Sequence, residues 1–229
     1  APLCWYRDWF NVRVAFLPSA ERGCDPDPEH DVVSTALDVC HEKRPGRGFR
    51  IRNEAGLLEL ARTIAEPDLV LVLVNVESCA GSGNRVARPW TAPSLLPTPI
   101  FSVGCGDPSG IAAHEFGHGF AGLADEYVDD RLSEADAFGP NISSSGTSAS
   151  WNHFRELPGA EGASWFHEGA GYLVHGRFRA WPTCRMREIS APFCPVCCEA
   201  IARAIHRTCG LEWDDAAYHR AHPLARWAR

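Results

Sequence analysis

The stretch HEFGHGFAGLADEY, residues 114–127, contains two histidines four positions apart and a glutamate directly after the first. Residues four apart lie on the same face of a helix, so His114 and His118 can bind one zinc ion. Glu115 is rotated by about 100° around the helix axis and lies beside such an ion rather than on it. A base that acts on water at a zinc site is expected there. We therefore predict two metal ligands, His114 and His118, and a catalytic base, Glu115.

A catalytic zinc ion takes three protein ligands and keeps one position open. Asp125 follows His118 by seven residues, which in a continuous helix would place it about 10 Å further along the axis. The helix must therefore end before Asp125. Gly122 is suited to end it, because glycine adopts the left-handed conformation at little cost. With the helix ended at Gly122, Asp125 is predicted as the third ligand.

Other residues compete for that role. Glu126 is adjacent to Asp125 and replaces it if the turn runs differently. His153, His167 and His175 are further candidates, although no regular spacing relates them to the two helix histidines. The third ligand is thus expected at Asp125, with these four alternatives left open.

The same stretch resembles a known group of enzymes. The helix-ending glycine and a ligand three residues later are similar to the metzincin metallopeptidases, whose pattern is HExxHxxGxxH/D. Position 121 is alanine here, so the glycine and the aspartate come one step late. The longer string resembles HExGHxxxxLxDEY of the IgA peptidase family M64. LVNVESCAGSG (73–83) and the region 171–201, which contains CRMRE and FCPVC, are also similar to that family.

The resemblance, which covers about residues 69–205, implies a zinc peptidase with one zinc ion per chain and a protein or peptide substrate. It also implies a Met-turn beneath the metal, a position that fits Met186, the only methionine. A core gap-filling role for Met186 stays open. Some metzincins have a tyrosine two residues after that methionine as an extra ligand; this chain has Glu188 there, so that ligand is not expected. Tyr127 and Tyr172 are candidate hydrogen-bond donors to the reacting carbonyl, or purely structural residues.

The hydrophobic pattern predicts an α/β (α+β) fold. We expect one catalytic domain, 1–229, with an N-terminal lobe (1–122) that carries a mixed sheet and the active-site helix. The C-terminal lobe (123–229) is expected to be irregular, with the Met-turn and a last helix. The predicted elements are a strand at 11–17, helices at 31–44 and 54–65, a turn at 77–85, strands at 68–76 and 100–104, the helix at 108–120, an irregular region at 130–182 and a last helix from Pro195.

Composition limits the compartment and the partners. The formal net charge of -7 argues against nucleic acid or an anionic membrane as the main partner. Ten cysteines predict an oxidising compartment, and hence a secreted protein with several disulfides. We also expect a monomer. CPVCC (194–198) suggests a zinc knuckle, but a Cys₄ site needs a second CxxC pair, which the sequence lacks. We therefore expect disulfides at this segment and no second zinc ion.

These observations together predict a secreted zinc endopeptidase. The first alternative is a catalytically inactive zinc-binding or adhesion module on a peptidase fold. An inactive relative would be free to lose Glu115, and this chain has it. The second alternative is a zinc hydrolase that acts on small amides, which only the shape of the substrate cleft can distinguish from a peptidase.

Overall fold

The structure, a computed structural model, describes residues 2–27, 29, 32–41, 48–76, 80–83, 100–104, 109–129 and 139–227. The chain divides into two compact units. We call Asp8–Phe120 the N-terminal unit, and Ala1–Arg7 with Ala121–Arg229 the C-terminal unit. No helix in the described part of the chain is long and apolar enough to cross a membrane.

The N-terminal unit combines short strands with two longer helices. Its elements are β1 (Val39–His41), β2 (Phe49–Ile51), α2 (Glu54–Ile64), β3 (Val70–Leu73), β4 (Ala80–Gly83), β5 (Ile100–Gly104), α3 (Ser109–Ala121) and a 3₁₀ turn at Arg7–Trp9. Helix α3 and the 3₁₀ turn each extend one residue beyond the bounds of the unit. β1 and β2 pair antiparallel. In the other sheet the order is β3-β5-β4, with β3 parallel and β4 antiparallel to β5. The predicted mixed sheet and α+β composition are therefore confirmed.

Helix α2 begins and ends where the sequence predicts. The Asn53 side chain accepts a hydrogen bond from the Gly56 amide at 2.9 Å and so caps the first turn. Leu57 is the buried residue of this helix. It belongs to the core of the unit, which also contains Val39, Phe49, Ile51 and Val72.

Three predictions for this unit are wrong. Residues 11–17 form no strand, and Val14 and Phe16 are 88% and 87% exposed. The described part of 31–44 is a loop followed by β1 rather than a helix. Val39–His41 pair with Phe49–Ile51 as β1 and β2, and this pairing requires extended backbone where the helix was predicted. Within the predicted turn at 77–85, residues 80–83 are strand β4.

The C-terminal unit has its own sheet and helices. Its elements are α1 (Pro2–Trp5), β6 (Ile142–Ser143), β7 (His167–Ala170), β8 (Leu173–Arg179), α4 (Pro195–Thr208) and α5 (Asp215–Ala221), with 3₁₀ turns at Asn152–Glu156 and Leu224–Arg226. The strand order is β6-β8-β7, and both pairings are antiparallel.

Two expectations for the C-terminal unit need correction. The region 130–182 was expected to be irregular, yet it contributes a three-stranded sheet, whose strands are too short and too rich in glycine for a clear alternating pattern. The helix from Pro195 is confirmed as α4, but it is not the last helix, because α5 follows it. Asp214 caps α5 by accepting the Ala217 amide hydrogen at 2.9 Å.

Candidate metal centre

Helix α3 places the two predicted histidine ligands side by side. The Nε2 atoms of His114 and His118 are 3.0 Å apart, and both residues are buried. Two imidazoles that bind one tetrahedral zinc ion have nitrogens about 3.3 Å apart, given zinc–nitrogen bonds of about 2.0–2.1 Å. The pair is therefore arranged as two ligands of one ion would be.

The rest of α3 explains why this helix is held firmly. Phe116 and Phe120 stack at 4.7 Å between ring centroids, and Phe10 lies 6.1 Å from Phe116 in an edge-to-face contact. The aromatic face thus packs within the N-terminal unit, while the histidines occupy another face of the helix.

Glu115 is buried and lies against strand β4. A Cβ atom added to Gly81 would lie 2.6 Å from Glu115 Oε1 and 2.4 Å from Ile111 Cγ2. Only a residue without a side chain can occupy this position without displacing one of them. The backbone of the Gly-rich stretch 80–83 therefore packs next to the predicted catalytic base.

Helix α3 ends at Ala121, and Gly122 has a φ of 64°. This left-handed conformation is the one that glycine adopts without strain. The prediction that the helix ends before Asp125 is therefore confirmed, and Gly122 is at the turn.

Four backbone contacts then hold the segment after Gly122. The Asn141 side chain binds both backbone groups of Ala124, at 2.9 and 2.8 Å. The Asp125 carbonyl accepts from the Gly171 amide at 2.9 Å. The Glu126 amide donates to the Met186 carbonyl at 2.7 Å. Three separate segments of the C-terminal unit therefore hold the backbone of three consecutive residues, 124–126, from which the Asp125 side chain projects.

The Asp125 carboxylate is buried and accepts a hydrogen bond on Oδ2 from the Tyr172 hydroxyl. Tyr172 has a φ of 71°, a conformation that costs energy for a residue with a large side chain. Its ring lies 5.3 Å from that of Tyr127. Tyr172 thus contacts the predicted ligand directly, and the structure places Tyr127 beside Tyr172.

In the stretch 114–125, His114, His118 and Asp125 form one group of side chains that can hold a metal ion. One ligand atom of each lies within 4.8 Å of the other two. Two imidazoles and one carboxylate are a donor set that zinc accepts in hydrolytic enzymes. The residues therefore fit the metal that the sequence predicts.

Glu126 has different neighbours. It is fully buried, its Oε1 accepts from Asn141 Nδ2 at 2.9 Å, and Cys197 Sγ lies 3.4 Å from the same oxygen. Burial raises the pKa of Glu126 well above its ordinary value. Glu126 belongs to a second group of possible metal ligands with Cys184, Cys194 and Cys197.

The three competing histidines also lie elsewhere, all in the C-terminal unit. Each has a polar neighbour in that unit, at 3.0 to 3.4 Å: Glu199 Oε2 for His153, the Ser164 carbonyl for His167 and Glu168 Oε1 for His175.

Met186 is completely buried in a turn that the Arg187 amide closes by donating to the Cys184 carbonyl at 2.8 Å. A turn at Met186 is therefore present, and its role as a Met-turn stays a prediction.

No disulfide joins the eight cysteines that the structure describes, and the expected disulfide framework stays a prediction. Cys79 and Cys105 lie outside the described residues. Burial raises the pKa of the Cys184 thiol. For the buried Cys194, hydrogen bonds from Cys184 and Cys197 outweigh burial and lower the pKa below its ordinary value.

Sequence reasoning missed three residues that shape these sites. Gly81 lies within the predicted turn at 77–85, and its place in a Gly-rich stretch after a strand is a signal of close backbone approach. Asn141 was not singled out, and no local pattern marks an asparagine that binds a backbone 17 residues away. Glu126 was considered only as a competitor of Asp125.

Comparison with known proteins gives one family. The family model described as IgA Peptidase M64 matches residues 1–156 of the 229. The matched residues include the whole stretch 114–127, but neither Met186 nor the cysteines at 184–198. No curated protein matches the chain.

Proposed function

The chain belongs to the IgA peptidase M64 family, a family of metallopeptidases, and we propose that it is a metzincin-like zinc endopeptidase. The observation that carries this proposal is the group of His114, His118 and Asp125 with Glu115 on the same helix. One zinc ion would be held by the two imidazoles and the Asp125 carboxylate. When bound, it supplies Lewis-acid chemistry, which polarises a carbonyl oxygen and acidifies water.

Glu115 acts as the general base and then the general acid. Its carboxylate takes a proton from the attacking water and later passes it to the leaving amine. The close contact with Gly81 restricts where this carboxylate can move. A base held in one place contributes more to the rate than a mobile one, because its orientation is already fixed.

Tyr172 positions Asp125 rather than the substrate. Its hydroxyl donates to Oδ2 of that carboxylate, so the hydrogen bond orients the ligand and spreads its charge. Of the two roles that the sequence leaves open for Tyr172, we therefore propose the structural one over direct hydrogen bonding to the reacting carbonyl. A direct role for Tyr127 rests only on its position one residue after Glu126 and beside Tyr172.

Strand β4 is suited to receive an extended peptide. Among the described strands it pairs only with β5, so it lies at the edge of its sheet. An edge strand offers backbone donors and acceptors to a second chain. Since Gly81 of this strand lies against Glu115, a peptide paired along β4 would pass close to the catalytic base. A small amide gains little from such an edge, which favours a peptide substrate.

Replacing Gly81 by alanine tests whether the contact between Gly81 and Glu115 positions the base. The added Cβ would be 2.6 Å from Glu115 Oε1 and must displace it. We expect kcat/KM for a peptide to fall by about 100-fold, the scale of a misplacement of about 1 Å in a catalytic group. Steady-state kinetics and a thermal melt measure the effect and check the fold. Full activity in a folded Gly81→Ala protein would show that this contact does not position the base.

We further propose a secreted monomer with a single catalytic domain over residues 1–229. The number of cysteines, ten in 229 residues, supports export, although no disulfide joins the eight that the structure describes. The net charge of -7 supports a protein or peptide substrate over nucleic acid or an anionic membrane. An inactive zinc-binding module is the second candidate, and the buried Glu115 next to the two histidines favours an active enzyme over it.

A peptide-library digest tests the function. We expect the purified protein to cleave internal peptide bonds, to lose this activity in a chelator that removes zinc, and to regain it when zinc is added back. Mass spectrometry of the products identifies the cleaved bonds. Cleavage that persists after the zinc has been shown to be gone would contradict the proposal, as would zinc-loaded protein that cleaves no member of the library.

A further inference from the structure

We propose that Glu126, Cys184, Cys194 and Cys197 form a second, structural metal site that takes zinc. The four residues come from three segments of the C-terminal unit. All four are buried, and one ligand atom of each lies within 4.8 Å of the others. The site goes beyond the proposed peptidase function, because none of its ligands belongs to the catalytic group.

The distances within the cluster match the edges of a zinc tetrahedron. Zinc–sulfur bonds of about 2.3 Å place two sulfurs about 3.8 Å apart, and a zinc–oxygen bond of about 2.0 Å places sulfur and oxygen about 3.5 Å apart. Cys184 Sγ and Cys197 Sγ are 3.5 Å apart, and Cys197 Sγ lies 3.4 Å from Glu126 Oε1. A disulfide would bring two of the sulfurs to about 2.05 Å.

Backbone amides already donate to two of the sulfurs. The Cys194 amide donates to Cys184 Sγ at 3.2 Å, and the Cys197 amide donates to Cys194 Sγ at 3.5 Å. Cys194 caps α4, a helix of 14 residues, and Cys197 lies in its first turn. Amide donors and the positive end of a helix both stabilise thiolates, which are the form that binds metal.

The fourth ligand is a carboxylate with an unused oxygen. Glu126 is fully buried, and its Oε2 has no hydrogen-bond partner. A buried carboxylate oxygen without a hydrogen-bond partner or a bound cation costs free energy. A metal ion bound by this oxygen removes that cost.

The neighbouring Cys198 shows that not every buried cysteine here is arranged as a ligand. Its thiol lies 3.6 Å from the Phe193 carbonyl as a hydrogen-bond donor, and it is outside the ligand group. It is therefore a matched control, equally buried and one residue from Cys197.

One zinc ion per chain is the expectation from a single complete ligand set and the lack of a second CxxC pair in the sequence. In the structure, Cys184 and Glu126 take the place of the missing CxxC pair as ligands. Glu126 lies 71 residues before Cys197. On binding, each thiol and the Glu126 carboxyl release their protons to solvent while three sulfur–metal bonds and one oxygen–metal bond form, so no redox partner is needed. The metal would join the segment after α3, the Met186 turn and the start of α4.

Zinc analysis of variants tests the proposal. After dialysis against metal-free buffer, we expect two zinc ions in the wild-type protein and one in the double variant His114→Ala/His118→Ala. We expect one in Cys194→Ser, and two in the control Cys198→Ser. If the wild-type protein binds one zinc ion that the histidine variant keeps and Cys194→Ser loses, the second site stands and the proposed catalytic site fails.

Cobalt substitution of the folded wild-type protein gives a readout that does not depend on a folded cysteine variant. Thiolate ligands produce a sulfur-to-cobalt charge-transfer band, which two histidines and an aspartate cannot produce. We expect this band in the wild-type protein and in the histidine double variant. Its absence would overturn the proposal. So would a peptide map that shows a disulfide among Cys184, Cys194 and Cys197, or a histidine variant without zinc.

Discussion

Replacing Glu115 by glutamine is expected to lower kcat for peptide hydrolysis by roughly two to four orders of magnitude and to leave the bound zinc in place. Glutamine has nearly the same size, so the contact with Gly81 can be kept. It cannot accept the proton of the attacking water, however, and the general-base step is lost. His114, His118 and Asp125 are unchanged, so zinc affinity should not fall.

The measurement is kcat on a peptide substrate together with zinc content by mass spectrometry. Glu59→Gln is a suitable control, because it changes an exposed glutamate on α2. It should retain both activity and zinc. Wild-type kcat in Glu115→Gln would assign the base to another residue, and loss of zinc would indicate that Glu115 is itself a ligand.

Replacing Asp125 by asparagine should instead reduce zinc affinity at the catalytic site. The variant removes the only anionic ligand of that group and leaves two neutral imidazoles. Loss of a hydrogen bond to a metal ligand typically lowers metal affinity by about 10- to 100-fold. We expect zinc affinity to fall further when the ligand Asp125 is itself replaced. Activity should fall with zinc occupancy and return in part when excess zinc is supplied.

Two further variants separate the ligand from its surroundings. Tyr172→Phe removes the hydrogen bond to Asp125 Oδ2, and we expect the smaller loss of about 10- to 100-fold in zinc affinity. Asp129→Asn changes another carboxylate of the same segment, which belongs to neither ligand group, and should keep wild-type affinity. Competition titration with a zinc indicator gives the affinities. Equal affinity in Asp125→Asn and wild type would remove Asp125 from the ligand set.

The sequence predicted the parts of the site that depend on local spacing. The 3.6-residue repeat of a helix places His114 beside His118, and the conformational freedom of Gly122 ends that helix. Both features depend on residues within one or two turns of each other, so the sequence specifies them directly. The cap of α2 by Asn53 was predictable for the same reason.

Features that depend on distant segments were not predictable in this way. Val14 and Phe16 alternate with other residues as in a strand, but strand formation requires a partner, and the described structure provides none for them. The surroundings of Glu126 come from Asn141 and Cys197, both far along the chain. No periodicity or spacing rule relates residues that meet only through tertiary folding.

An anomalous difference map, from crystals of the zinc-loaded protein measured on both sides of the zinc absorption edge, tests the account most directly. We predict an anomalous peak for one zinc ion that is bonded to His114 Nε2, His118 Nε2 and an Asp125 carboxylate oxygen, at about 2.0–2.2 Å each. We also predict that Glu115 lies beside this ion and is not bonded to it. A map without zinc at the two histidines, or with Asp125 outside bonding distance of that zinc, would contradict the account.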